Sequence, residues 1–426
     1  MKQPIKVAIR MYNVGFGDCF LLTFYYEKPT KNQHILIDFG SVAGKADLRG
    51  IAKDIKEACE GKLYAVVATH RHRDHISGFS DAGGETSPGA IIASCKPEIV
   101  IQPWTENPKA RPNAKSAHLT TTSARKLSDL GLFVASLDAM QGFADTALHL
   151  SPRWRGISGR LTALDKLAAN NAKNPDAVKN LRTMGKKPPR FLQYGSTSGL
   201  EDARLLPGVK VRVLGPPTLT EQNLKKYAKK SGEYWLACTY WTLQERAYRY
   251  SGHSTLFPRA PHYGARSKPF HTRWFMQRAA DALKSNVLGI VTVLDKFLNN
   301  TSLILLFEVK GKKLLFPGDA QLENWSWALS KPEIRDLLKD VDLYKVGHHG
   351  SRNATPKTLW TNFRKRKAGR KGGALKTMMS TSPGVYARTA EGKVPSAHLV
   401  KALKAESSLS NTQDLKTRRG PIVIEF

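Results

Sequence analysis

The chain is poor in the features that would staple it, anchor it in a bilayer or balance its charge. Its 426 residues hold only four cysteines, Cys19, Cys59, Cys95 and Cys238, and no two are spaced as C-x-x-C. That excludes a disulfide framework and a zinc knuckle, and it suits a reducing compartment. No stretch approaches the roughly 20 apolar residues of a spanning helix, and Met1-Lys2-Gln3-Pro4-Ile5-Lys6 lacks the apolar core of a secretory signal. A soluble, cytoplasmic protein without a transmembrane segment is expected. Acidic side chains are scarce: 35 Asp and Glu stand against 67 Lys and Arg, a formal net charge of +32. Such an excess favours polyanionic partners, nucleic acid or an anionic membrane face. Solenoid repeats and dividing linkers are absent too. With 41% hydrophobic and 24% charged residues, one globular domain over 1–426 is expected.

Metal-ligand side chains, in contrast, are concentrated in one place. The apolar run Leu63-Tyr64-Ala65-Val66-Val67-Ala68 leads into Thr69-His70-Arg71-His72-Arg73-Asp74-His75, and Ile76-Ser77-Gly78-Phe79 begins a helix. A buried strand ending in His-x-His-x-Asp-His gathers imidazole nitrogens and a carboxylate at one strand end, a donor set suited to zinc and related divalent ions. In an extended segment His70 and His72 share a face, and a turn after them lets Asp74 and His75 form a second cluster, so two adjacent metal sites follow.

Around this stretch the pattern is that of an α/β sandwich. Residues 6–26 read as a two-stranded hairpin around Asn13-Val14-Gly15-Phe16-Gly17-Asp18, and His34–Asp38 as a third strand. A helix is expected over 46–60, a strand at 98–102, a helix at 116–130 and a strand at 132–134. Strands at 209–214, 302–309 and 313–316 precede Pro317-Gly318-Asp319. Then come a helix over 320–339, a strand at 341–346 ending in Gly347-His348-His349-Gly350-Ser351, a strand at 377–382, a helix near 396–405 and a closing strand at 421–426. Two segments, roughly 140–190 and 220–286, read as insertions. The first is basic and helix-prone, and the second is rich in Tyr, Trp and Arg, a combination that suits a nucleic-acid groove or the packing beneath a long insertion.

Six segments in this order resemble the metallo-β-lactamase-like domain of ComEC-type competence proteins: Val14–Asp18, Leu36–Gly40, His70–His75, Asn299–Leu303, Leu315–Ala320 and Lys345–Ser351. The likeness covers about 5–110, 190–220 and 290–426, without the membrane segments of the full transporter. It implies an αββα metallo-β-lactamase-like sandwich holding two divalent metal ions at one edge between the sheets, zinc first and manganese as the alternative. It implies that His70, His72 and one of His348 and His349 surround one metal, that Asp74 and His75 hold the other, and that Asp319 bridges them. His348 is taken as the ligand and His349 as a proton donor or phosphate contact, an order that can be reversed. The chain departs from the pattern in two places. Asn299-Asn300 stands where the wider superfamily usually supplies a further histidine, leaving His118 and His149 as substitutes only if the fold brings them near, and Asn13 and Phe16 replace an aspartate and a glutamine in the glycine loop.

Two metals so placed would clamp a water, lower its pKa and stabilise charge developing on a scissile phosphate or carbonyl. Asp74 would accept the proton of the attacking water, and Lys345 and Ser351 would contact a substrate oxyanion. Asp38 would orient a ligand histidine or cap its turn. The expected function is a nuclease or phosphodiesterase acting on DNA or RNA through a metal-activated hydroxide. The alternatives are a small-molecule hydrolase (a lactonase, thioesterase or phosphodiester esterase) and a non-catalytic nucleic-acid-binding subunit of a larger complex.

Overall fold

Alternation of side chains along the strands sorts this chain into layers. The computed structural model describes residues 3–42, 46–110, 116, 141–142, 144–145, 167–200, 205–218, 291, 294–367, 375–382, 394–415 and 420–426. The expected helix at 116–130, the strand at 132–134, the aromatic-rich segment 220–286, His118, His149 and Cys238 lie outside those residues, apart from Ser116.

The first sheet begins with β1 (Lys6–Met11), β2 (Cys19–Tyr25) and β3 (Gln33–Phe39), which pair antiparallel. It continues in parallel through β4 (Ala65–Val67), β5 (Ile99–Pro103) and β6 (Arg190–Leu192). The second sheet begins with the antiparallel β7 (Val209–Gly215), β8 (Ile304–Val309) and β9 (Lys312–Phe316). It continues in parallel through β10 (Leu343–Lys345), β11 (Lys376–Met379) and β12 (Ser408–Asn411). The closing strand β13 (Ile422–Glu425) returns to the first sheet beside β1. The orders are β13-β1-β2-β3-β4-β5-β6 and β12-β11-β10-β9-β8-β7.

Alternate residues of both sheets meet in one core. Ile9, Phe20, Leu22, Ile37 and Val67 come from the first sheet, and Val211, Leu305, Phe307, Phe316 and Met378 from the second. The residues between them face outward onto helices. Leu21, Leu36, Val66 and Val100 pack with α1 (Leu48–Ala58), α3 (Pro88–Ser94) and α4 (Pro175–Thr183); the short α2 (Arg73–Ile76) follows β4 at the sheet's edge. Leu306, Leu315 and Tyr344 pack with α5 (Leu322–Ala328), α6 (Pro332–Leu338), α7 (Lys357–Asn362) and α8 (Ala397–Glu406). The result is an α/β sandwich of two mixed sheets with helices on the outer face of each.

Local chemistry sets the boundaries. The Asp47 side chain accepts from Gly50 N at 2.8 Å and starts α1, and Ser87 with Pro88 starts α3. The single helix expected over 320–339 is two, because Pro332 has no N–H to continue the ladder and opens α6 instead. Segment 140–190 is also more than an insertion, since Ala177 and Leu181 of α4 are core and Arg190 begins β6. Among the described residues no helix is long and apolar enough to cross a membrane.

Candidate metal centre

Parallel pairing points the C-terminal ends of β3, β4 and β5 one way, and likewise those of β9, β10 and β11, the edge where open α/β sheets collect functional groups. Asp38 sits at the end of β3 and His70 to His75 follow β4. Asp319 follows β9, His348 and His349 follow β10, and Ser380 follows β11. The side chains of Asp38, His70, His72, Asp74, His75, Asp319, His349 and Ser380 are buried, and that of His348 is 19% exposed.

Three groups of side chains each bring their donor atoms within 4.8 Å of one another: Asp74, His75, Asp319 and His349; His70, His72 and Asp74; and Asp18, Asp38 and His75. In the first group His75 Nε2 lies 3.1 Å from Asp319 Oδ2 and 3.9 Å from Asp74 Oδ1. His349 Nε2 lies 3.1 Å from Asp74 Oδ2 and 3.6 Å from Asp319 Oδ2. In the second, His70 Nε2 faces His72 Nδ1 at 3.0 Å.

The outer nitrogen of each imidazole decides what its inner nitrogen presents. His349 Nδ1 meets the carbonyl of Ser380 at 3.0 Å; a carbonyl only accepts, so Nδ1 carries the proton. His75 Nδ1 meets Asp38 Oδ2 at 2.8 Å with the same consequence. His70 Nδ1 meets Thr69 Oγ1 at 3.2 Å, and that hydroxyl already donates to Asp38 Oδ2 at 2.7 Å, so it accepts from His70. His72 Nε2 meets Asn171 Oδ1 at 3.0 Å. All four rings therefore turn a lone pair inward, towards each other and towards two carboxylates. Lone pairs in contact at 3.0 to 3.1 Å (His70 with His72, His75 with Asp319, His349 with Asp74) require a proton or a cation between them.

The remaining atoms fit that requirement. Among the described residues, Asp74 Oδ1, His75 Nε2 and Asp319 Oδ2 are buried without a hydrogen-bond partner, an arrangement that costs free energy unless an ion satisfies it. The opposite oxygens are tied. Asp319 Oδ1 accepts from His348 N at 3.0 Å and Lys345 Nζ at 3.4 Å, and Asp74 Oδ2 accepts from Asn170 Nδ2 at 3.3 Å. The donor set, of mixed imidazole and carboxylate, fits divalent zinc or manganese.

Electrostatics agree. Burial would raise Asp74, but His75 and His349 outweigh it and hold its carboxyl at about 2. Burial would likewise raise Asp319, yet His75 and Lys345 keep it well below the carboxylate range. Burial would lower His75 and His349, but the carboxylates around them hold both above the usual imidazole value. His70, buried beside His75 and His72, lies well below it. Without a cation, the carboxylate-lined cluster thus draws protons onto His75 and His349.

Compared with the expectations, the structure gathers His70, His72, Asp74, His75 and Asp319 at one edge. Of the pair after β10 it is His349 that joins the cluster, and it joins beside Asp74 and His75 rather than beside His70 and His72. His348 is half-buried, with Nε2 4.0 Å from Asp319 Oδ2 and Nδ1 3.3 Å from Gln321 Nε2. The two lie at φ of 46° and 52°, a left-handed kink that swings consecutive rings to different sides. Lys345 does not reach a substrate surface. Its side chain is 2% exposed, and its ammonium is paired with Asp18 and bonded to Gly318 O at 3.1 Å and Asp319 Oδ1 at 3.4 Å, so it is a buried counter-charge. Arg71 is likewise engaged, by Glu106 at 2.6 Å and by Gln141. Asp38 takes Thr69 N at 2.7 Å as well as His75, so it both caps the turn and orients the His75 ring. Ser351 follows the turn His348–Gly350 and is half-buried.

Sequence reasoning assigned no role to Asp18, Asn170, Asn171, Asp295 or Ser380. Asp18 closes the glycine-loop motif Val14–Asp18, which is a signal for it; the asparagines carry no ligand signature. Neither a scan against protein-family models nor a search of curated proteins returns a match to the chain.

Proposed function

We propose that the protein is a metal-dependent hydrolase of the metallo-β-lactamase-like αββα type, resembling the soluble domain of ComEC-type competence proteins, and that it cleaves phosphodiester bonds in DNA or RNA. The observation that carries this reading is the set of four inward imidazole lone pairs converging with Asp74 and Asp319. Asp74, His75, Asp319 and His349 would hold one divalent cation and His70 and His72, with Asp74, a second, zinc first and manganese as the alternative. Bound there, such cations supply Lewis acidity, a lowered water pKa and neutralisation of phosphate charge.

The protein's own groups do the rest. Asp38 and Thr69 hold His75 and His70 in the tautomers that face the centre. Asp74, kept ionised by His75 and His349, would orient the attacking water beside the cations by accepting its hydrogen bond. His348, whose side chain is 19% exposed, would then be the proton donor or phosphate contact expected of His349. The net charge of +32 supplies attraction to a phosphate backbone.

The test is incubation of the protein with plasmid, linear and single-stranded DNA and with RNA in zinc or manganese, beside His72→Ala and Asp74→Ala. Cleavage by the wild type and a fall on the order of 100-fold or more in both variants are expected. Equal products from all three proteins, or none from the wild type in either metal, would end the proposal.

A further inference from the structure

The site contains one carboxylate that neither the donor groups nor the chemistry above uses. Asp295 lies on the helical stretch 294–300, its side chain 16% exposed, with Oδ1 3.7 Å from His72 Nε2. It accepts from two amides, Asn171 Nδ2 at 3.0 Å and Asn299 Nδ2 at 3.1 Å. Asn171 belongs to a separate helical stretch, 167–171, and its Nδ2 also donates to Leu167 O at 2.9 Å. Both neighbours of that nitrogen are pure acceptors, so the amide cannot turn over, and its Oδ1 is left facing His72 Nε2. Protonation of His72 at Nε2 then leaves Nδ1 bare, 3.0 Å from His70 Nε2.

We infer that Asp295 is a positioning residue: through Asn171 it fixes the tautomer of His72 and so prepares the His70–His72 pair to hold a cation. The inference deepens the metal-centre reading and rests on it for the identity of the ligand. Asp38 does the same for His75 directly, at 2.8 Å; at His72 the carboxylate acts one amide further out. Two stretches 124 positions apart, Asn171 and Asp295, are thereby joined to the site. Asn170 adds to this, accepting from Asp74 N at 3.2 Å and donating to Asp74 Oδ2 at 3.3 Å.

Two measurements on the full chain test the relay. The first is zinc titration of the wild type, Asp295→Ala and Asp295→Asn. Two equivalents are expected for the wild type, with one weakened by about 10- to 100-fold in Asp295→Ala and the other unchanged. Asp295→Asn, which keeps one acceptor oxygen, falls between. The second is long-range proton–nitrogen correlation of labelled histidine in metal-free protein at about pH 8, where an ordinary imidazole is neutral. A proton on Nε2 of His72 is expected in the wild type, and a mixture of tautomers in Asp295→Ala. A wild-type proton on Nδ1, or an Asp295→Ala variant that keeps both zinc equivalents at unchanged affinity, would overturn the inference. If the wild type takes up no zinc while His72 carries its proton on Nε2, the metal-centre reading fails and the relay stands.

Discussion

Lys345 carries a positive charge where water barely reaches it, and its environment explains why that is tolerable. Burial would lower the ammonium's pKa, but Asp18 and Asp319 outweigh the penalty and raise it, so the group stays charged. Removing one partner of a buried pair leaves the other charge uncompensated and costs about 3–5 kcal/mol. Lys345→Met keeps the stem and removes the charge. We expect it to lower the unfolding free energy of the metal-free protein by about that amount, read from urea denaturation. A variant as stable as the wild type would mean that the buried pairing of Lys345 with Asp18 and Asp319 adds nothing net to the fold. The same scale holds backbone strain. Asp38, His348 and His349 all adopt positive φ, at 55°, 46° and 52°, each at a cost of about 1–3 kcal/mol. All three lie at the site, where the strain aims a carboxylate and two rings.

Among the elements, close backbone approach holds the candidate ligands in register. A Cβ on Gly40, just past β3, would stand 2.4 Å from Arg73 O and 2.6 Å from Asp74 C, which are backbone atoms of α2, the bearer of Asp74 and His75. Neither can swing aside as a side chain would. Gly40→Ala should cost about 1–3 kcal/mol of stability and should also weaken zinc binding by displacing Asp74 and His75. Gly61→Ala is the control. Its φ is +68° but nothing lies within 4 Å of the added carbon, so it should cost stability by backbone strain without touching the metal. Equal zinc affinities for the two variants would mean that α2 does not depend on this contact. Most strands were legible in the sequence because alternation survives single-residue reading, and the histidine run was legible because its donor density is rare. The clamp on His72 was not. Asn171 and Asp295 lie in stretches that read as basic insertion or as the run before a strand, and a contact across 124 positions has no local pattern. The order within His348-His349 was equally hidden, since spacing cannot foretell a left-handed kink.

Across the whole molecule two fields oppose one another. The chain carries +32, yet its candidate centre gathers the carboxylates of Asp18, Asp38, Asp74 and Asp319 with, among the described residues, the single ammonium of Lys345 bonded among them. A site so negative inside so positive a protein is suited to a cation, and under the proposed phosphodiesterase reading the basic exterior would attract the phosphate backbone. In the metal-free state the deficit is met by protons, which is why His75 and His349 bind them above the ordinary imidazole range. Those protons must leave when a metal arrives. The sign follows. As pH rises there are fewer protons to compete, so zinc affinity rises, by about tenfold per pH unit for each proton displaced while the imidazoles are still protonated. Zinc at 100 times its dissociation constant should then stabilise the fold by about 2.7 kcal/mol, and a chelator should remove that gain. Thermal unfolding against zinc concentration at two pH values, with proton release followed in weak buffer, measures both effects. A melting temperature indifferent to zinc, with no protons released, would leave the buried carboxylates without the cation that their arrangement requires.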